Sequence, residues 1–149
     1  PVHLHRRDYN LLPQIYPNGE FGYTIFSGVF QINENLPFLY PVDITSDGFT
    51  PKNDFNQYLC NYHSAHIALH DAESNSMHNL FFGGISQYYY ENDEMVQDDN
   101  VPFVKTISRV SRAADGTMEE VRMPIEMPGF LGAGAEFAAS SNSSRMPAS

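Results

Sequence analysis

Two stretches of this chain read as copies of one element, and that duplication limits the possible folds more than any other feature. Residues 23–30 (Tyr-Thr-Ile-Phe-Ser-Gly-Val-Phe) and 79–86 (Asn-Leu-Phe-Phe-Gly-Gly-Ile-Ser) are short apolar runs, rich in β-branched and aromatic residues, that stop at a glycine. The chain continues alike after each, with Leu36-Pro37-Phe38-Leu39 after the first and Val101-Pro102-Phe103-Val104 after the second. Aligning Gly28 with Gly84 gives a period of about 56 residues, whose physical reading is a propeller blade or a solenoid turn. One such unit cannot bury its apolar face alone and does so against its neighbour.

In chain order, residues 4–16 predict an edge or irregular strand, because Pro13 argues against a helix and cannot donate to a ladder. Pro17-Asn18-Gly19 is turn chemistry, so this strand and residues 23–30 are expected to form a hairpin. Residues 33–35 are a turn, 38–45 a third strand, Ser46-Asp47-Gly48 another turn, and 50–58 a polar, irregular connection. The second copy opens with the same hairpin: a strand over 62–70, a turn over 71–76 and a partner strand over 78–86. Strands over 104–111 and 118–124 flank Ala114-Asp115-Gly116, and no helix of consequence is predicted. The expected fold class is all-β, two four-stranded antiparallel propeller-blade-like units. Residues 1–58 form the first unit and its connection, 59–128 the second, 129–139 the opening strand of a third, and 140–149 a disordered tail.

The copies differ in one place. Gly28 and Pro37 are separated by nine positions, Gly84 and Pro102 by eighteen, so residues 87–100 carry an insertion. Insertions in repeat proteins map to loops on one face, often the binding face. This one holds Tyr88, Tyr89 and Tyr90, then Glu91, Asp93 and Glu94, the candidate binding residues, with Asp98 and Asp99 beyond them. Tyrosines supply amphipathic contact area at low entropic cost. The carboxylates are hard oxygen donors of the kind calcium takes, but the calcium-loop pattern with its central glycine is absent and a solvated loop is expected.

Charge and motifs remove several functions. With 18 acidic and 8 basic residues the formal net charge is -10, which repels a phosphate backbone, and no basic stripe offsets it, so nucleic acid is not an expected partner. No apolar run approaches a membrane span, and no basic, then apolar, leader opens the sequence, so any export signal is expected to be absent or already removed. Cys60, the single cysteine, excludes an internal disulfide and reads as a buried small apolar residue. His63, His66 and His70, with His78 across the hairpin, would share one face of a helix as a zinc site wants. On a strand only His66 and His70 share a face, which leaves those two as the metal candidates. No catalytic residue is assigned and no cofactor is expected. Gly-x-Ser-x-Gly, a Cys/His signature and a phosphate-cradling glycine loop are missing, and adjacent strand carboxylates such as Glu119 and Glu120 point to opposite faces.

A strand with a histidine, Tyr62-His63-Ser64-Ala65, followed by Leu80-Phe81-Phe82-Gly83-Gly84, resembles the kelch repeat, whose unit is a four-stranded propeller blade. The family's tryptophan has no counterpart, and the first copy has Ser27-Gly28 for the double glycine. More of the chain, about residues 4–137, is similar to uncharacterised exported proteins of the Bacteroidetes that carry type IX secretion sorting domains. That likeness rests on Leu4-His5-Arg6-Arg7-Asp8-Tyr9-Asn10, Phe82-Gly83-Gly84-Ile85-Ser86-Gln87-Tyr88-Tyr89-Tyr90, Asp99-Asn100-Val101-Pro102-Phe103-Val104-Lys105 and Leu131-Gly132-Ala133-Gly134-Ala135-Glu136-Phe137. It implies an extracellular or outer cell-surface setting and brings no activity. Two functions are therefore expected as alternatives: a protein- or glycan-binding or structural module, or part of a secreted glycan-active propeller enzyme. Two blades leave a sheet face open on each side, so the partners expected are further blades of the same polypeptide or another protein in an assembly.

Overall fold

Short runs of alternating burial, each ended by a turn, fold the chain into two antiparallel meanders. The structure, a computed structural model, describes residues 2–137, so the tail expected from residue 140 and the end of the strand expected over 130–139 lie outside the described residues. Strands β1 (Asn10–Ile15), β2 (Phe21–Phe26), β3 (Val42–Thr45) and β4 (Gly48–Pro51) pair in chain order as the first sheet. The second sheet is β5 (Ala65–Asp71), β6 (Ser76–Ile85), β9 (Phe103–Arg112) and β10 (Met118–Glu126), again in chain order. Between β6 and β9 stands a separate hairpin, β7 (Tyr88–Glu91) and β8 (Glu94–Gln97). The only helical piece among the described residues is a 3-10 turn at Val2–Leu4. The fold is all-β, with two four-stranded antiparallel sheets.

Two stretches differ from the sequence reading. Residues 50–58 are not irregular throughout, because the two-residue turn Ser46-Asp47 brings Phe49 back opposite Ile44 and Thr50 opposite Asp43, making β4. Within 130–137 no strand forms, and the segment bends back over the start of β5, where Ala65 N–H donates to the Gly132 carbonyl (3.0 Å) and Gly134 N–H to that of His63 (2.8 Å).

The glycines that ended each apolar run explain the duplication physically. After β2, Ser27 and Gly28 both take positive φ (55° and 90°); near the end of β6, where its register shifts, Gly83 and Gly84 do the same (65° and 86°). Each pair turns the strand so that its next residue bridges a segment just before the sheet: Val29 pairs with Arg7, and Ile85 with Tyr62. Asp8 and His63, which follow the bridged residues, again share positive φ (56° and 55°). Any Cβ at Gly28 would lie 2.8 Å from Tyr9 Cβ, and one at Gly84 2.7 Å from the Tyr62 carbonyl. Ser27 tolerates the left-handed position with its hydroxyl donating to the Phe38 carbonyl (2.6 Å). The two hooks then lock together, Gly28 N–H donating to Asn61 O (3.1 Å) and His63 N–H to Asp8 O (3.3 Å).

The sheets pack face to face around Leu12, Phe26, Leu59, Cys60, Phe81 and Val110, with Phe26 and Phe81 edge to face at 5.2 Å. Polar groups set the register of this interface. Gln14 donates to the Asn79 side chain across the gap (2.6 Å, buried), and Arg112 donates to Asp43 (2.8 Å), which also accepts from Thr24 (2.7 Å). Burial lifts the Cys60 thiol to about 12, so it stays protonated and packs as a small hydrophobe.

The connection between the sheets is held from β10. The Glu120 carboxylate accepts the N–H groups of Tyr58 (2.8 Å) and Leu59 (3.1 Å). Desolvation by burial nonetheless outweighs these bonds and raises its pKa from 4.5 to about 7. A carboxyl raised on folding contributes stability that is complete below about pH 4.5 and is lost as pH rises through about 7. Urea midpoints measured across this window should therefore fall with rising pH, and Glu120→Gln should remove that component. A second expectation concerns the hook. Gly84→Ala should cost about 2–4 kcal/mol, whereas Gly116→Ala, also at positive φ but with nothing within 4 Å, should cost about 1–2 kcal/mol. Equal losses in urea titration would show that the close approach at Gly84 is not a constraint.

Candidate functional site

The inserted residues form a hairpin because Asn92 and Asp93 take positive φ (51° and 62°), the pair of left-handed residues that a two-residue turn between twisted strands requires. Tyr88 then faces Gln97, Tyr89 faces Val96, Tyr90 faces Met95 and Glu91 faces Glu94. Its base is tied down by polar groups. Asn61 accepts from Gln87 N–H (2.8 Å) and the Ser86 hydroxyl (3.2 Å), while Asp99 accepts from the side chains of Gln87 (2.8 Å) and Gln97 (3.0 Å). Those two bonds, Gln87's first, hold the Asp99 carboxyl below its ordinary range.

Alternation divides the three tyrosines. Tyr88 and Tyr90 pack against the core cluster, and Tyr88 meets Tyr58 edge to face at 5.1 Å. Burial raises the Tyr88 phenol above its usual value. Arg122, from β10, lies 4.1 Å over the Tyr90 ring and reaches Asp93 at 3.0 Å, pinning the hairpin tip to the second sheet. Glu91, Asp93 and Glu94 are exposed.

Beside the hairpin runs an open groove of about 520 Å³, lined on one side by Tyr89, Tyr90 and Glu91 and on the other by Phe103, Lys105, Glu126 and Phe130. Phe103 and Phe130 are 56% and 61% exposed, and Lys105 Nζ lies 5.5 Å from the Phe130 ring. Of the six residues singled out from sequence, Tyr89, Tyr90 and Glu91 line this groove, Asp93 and Glu94 sit at the hairpin turn, and Tyr88 lies on the core side. The β9 and β10 contributions were not anticipated. The repeat gave no warning of this, since Phe38 and Phe103 stand in matching Pro-Phe motifs, yet Phe38 is buried under Arg6 at 4.2 Å and Phe103 is exposed.

The histidines are dispersed. His66 and His70 do lie on one face of β5, but four residues of strand separate them by about 13 Å, too far to share an ion. His66 Nδ1 is 2.8 Å from the Ser64 carbonyl, His70 Nε2 3.4 Å from Asn75 Oδ1, and His78 Nδ1 2.7 Å from Ser111 Oγ. His63 pairs with Asp8 at 3.5 Å. Among the described residues no group of three His, Cys, Asp or Glu side chains is placed to hold a metal ion.

The fold and site together define an all-β protein of two hooked four-stranded sheets with an aromatic, acid-rimmed groove on the second. Neither protein-family models, curated proteins nor solved structures give a match to this chain. Its functional reading therefore stands on the geometry.

Both four-stranded ladders pair without the hairpin, so deleting residues 89–97 should leave one cooperative thermal transition and an all-β circular dichroism spectrum. The melting temperature should drop, because Tyr90 and its Arg122 contact are lost. Loss of the cooperative transition would make the hairpin part of the folding core.

Proposed function

We propose that the two sheets are adjacent blades of a kelch-like propeller, exported to the cell surface or beyond, and that the chain is a binding module whose groove beside β7–β8 takes a glycan. One observation carries this reading. Exposed rings of Phe103 and Phe130 share with Tyr89 and Tyr90 a groove bordered by Glu91, Asp98, Glu126 and Lys105. Aromatic rings offer flat apolar area to the C–H faces of a sugar, and the carboxylates and the ammonium group hydrogen-bond its hydroxyls, the pairing of apolar walls with a few polar groups that ligand clefts use. The double-glycine hook, the four-stranded meander and the face-to-face packing support the blade assignment. The cell-surface setting rests on the resemblance to exported proteins.

A second reading is a glycan-active enzyme, favoured by three carboxylates on one groove, since glycoside hydrolysis needs two flanking the scissile bond. A glycan array separates binding from no binding, and release of reducing ends from the bound glycan separates the two readings. Under the favoured reading Phe103→Ala and Tyr89→Ala each weaken retention about tenfold, about 1.4 kcal/mol, and no cleavage is seen. An array on which no glycan is retained would defeat the proposal.

A further inference from the structure

The groove beside β7 and β8 is unbalanced in charge. Glu91, Asp98 and Glu126 border it with only the ammonium of Lys105 to answer them, an excess of two negative charges. Among the described residues none of these three carboxylates is ion-paired: the pairs join His63 to Asp8, Arg109 to Glu119, Arg112 to Asp43 and Arg122 to Asp93. The cations nearest the groove are engaged with rings instead. Lys105 Nζ lies 5.5 Å from the Phe130 ring, and the Arg122 guanidinium lies 4.1 Å over Tyr90 while reaching Asp93 at 3.0 Å. This surface thus holds its own positive charges on aromatic faces, in the second case with a carboxylate beside the ring. Tyr89 and Phe103 are the groove's two rings with no cation of the described residues over them.

Those vacancies decide between classes of sugar. A uronate or a sulfate ester would bring a negative charge into a groove that already has two in excess, which selects against acidic glycans. A neutral sugar can stack on Tyr89 and Phe103, but it offers the carboxylates hydroxyl groups alone. An amino sugar whose amine is not acetylated carries an ammonium on the same ring whose C–H face lies on the aromatic wall. Each unit therefore meets a ring and a carboxylate together, the pairing that Arg122 makes with Tyr90 and Asp93 inside the chain.

We infer that the groove is selective for a glycan bearing free amines, an oligomer of de-N-acetylated hexosamine, with Tyr89 and Phe103 as its stacking faces and Glu91, Asp98 and Glu126 as the acceptors of its ammonium groups. This rests on the reading of the groove as a glycan site and names the class of glycan. Lys105 is the one element that opposes such a ligand, so it sets an upper limit on affinity that a substitution can lift.

Calorimetry on the full chain at low ionic strength tests this with a glucosamine hexamer, its fully N-acetylated form, cellohexaose and hexalysine. At a pH that protonates the sugar amines, the glucosamine hexamer should bind about tenfold or more tightly than either other sugar, by a margin that shrinks as salt is added. Glu91→Gln and Glu126→Gln should each weaken it about threefold and leave cellohexaose unchanged. Lys105→Gln should tighten it, the opposite of what an acidic ligand would show. Phe103→Ala should weaken every sugar that binds. Glu73→Gln, which removes the same charge from the turn between β5 and β6, should change nothing; all five positions are exposed, so the fold is not at risk. The inference is overturned if cellohexaose or the N-acetylated hexamer binds as tightly as the glucosamine hexamer, an outcome that leaves the glycan reading standing. It is also overturned if hexalysine binds as tightly, which would make the groove a site for basic peptides, or if Glu73→Gln costs as much as Glu91→Gln, which would reduce the effect to the net charge of the chain. Binding of none of the three sugars defeats it together with the glycan reading.

Discussion

The fold depends on a backbone that must turn left-handed twice in succession at the end of the second strand of each sheet. Without that turn, β2 and β6 would run straight on, and Val29 and Ile85 could not bridge back to Arg7 and Tyr62. The cost is borne differently in the two copies. Gly83-Gly84 meets it by having no Cβ, whereas Ser27 meets it with a hydroxyl bond to Phe38 and leaves only the closest position to Gly28. The hooks also bond to each other, so the residues that shape each sheet's entry orient one sheet on the next.

Given that orientation, the buried polar groups decide register. A wholly apolar interface between two twisted sheets would tolerate sliding, since hydrophobic contact is not directional. Gln14 against Asn79 and Arg112 against Asp43 are directional, and each shift would strand a buried donor or charge at several kcal/mol. Arg112 is anchored further by Tyr16, whose ring lies 5.1 Å beneath its guanidinium, and by Met118. The interface is thus assembled by apolar burial and aligned by a few polar contacts.

Much of this architecture was legible in the chain because it is local. Turn residues, alternation and the glycine stops mark seven of the ten strand positions, and the doubled spacing after Gly84 locates the insertion that carries two more. The fourth strand of the first sheet was not legible. Gly48-Phe49-Thr50-Pro51 is too short for a period, and its pairing depends on where Ser46-Asp47 returns the chain. For the site, sequence located the hairpin and its carboxylates but not which tyrosine faces inward, since that follows from the register of Tyr88 with Gln97. Phe103, Lys105, Glu126 and Phe130 come to the groove from strands distant in sequence, so nothing local to the insertion reveals them. Helical spacing would gather the histidines on one face, the strand reading left only His66 and His70 together, and the length of β5 separates even those two.

The placing of the insertion follows from the same constraint that shapes the sheets. Between its hook at Gly28 and the start of β3, the first copy spends its few residues returning directly, with Phe38 N–H donating to the Gly28 carbonyl (2.8 Å). The second copy makes its return bond from Ser86 N–H to the Pro102 carbonyl (3.0 Å), so the chain between these residues is free to leave and come back without disturbing either ladder. An excursion anywhere inside β5, β6, β9 or β10 would break pairing; one placed here costs mainly loop-closure entropy, which grows slowly with length. Because the Gln87 side chain donates to Asp99 and the Asp98 N–H to the Gln87 carbonyl (2.7 Å), the excursion's two ends are tied together and it leaves as a hairpin rather than an open loop. That is why the aromatic and acidic side chains added in the second copy stand at a fixed position beside β9 and β10, where the groove forms.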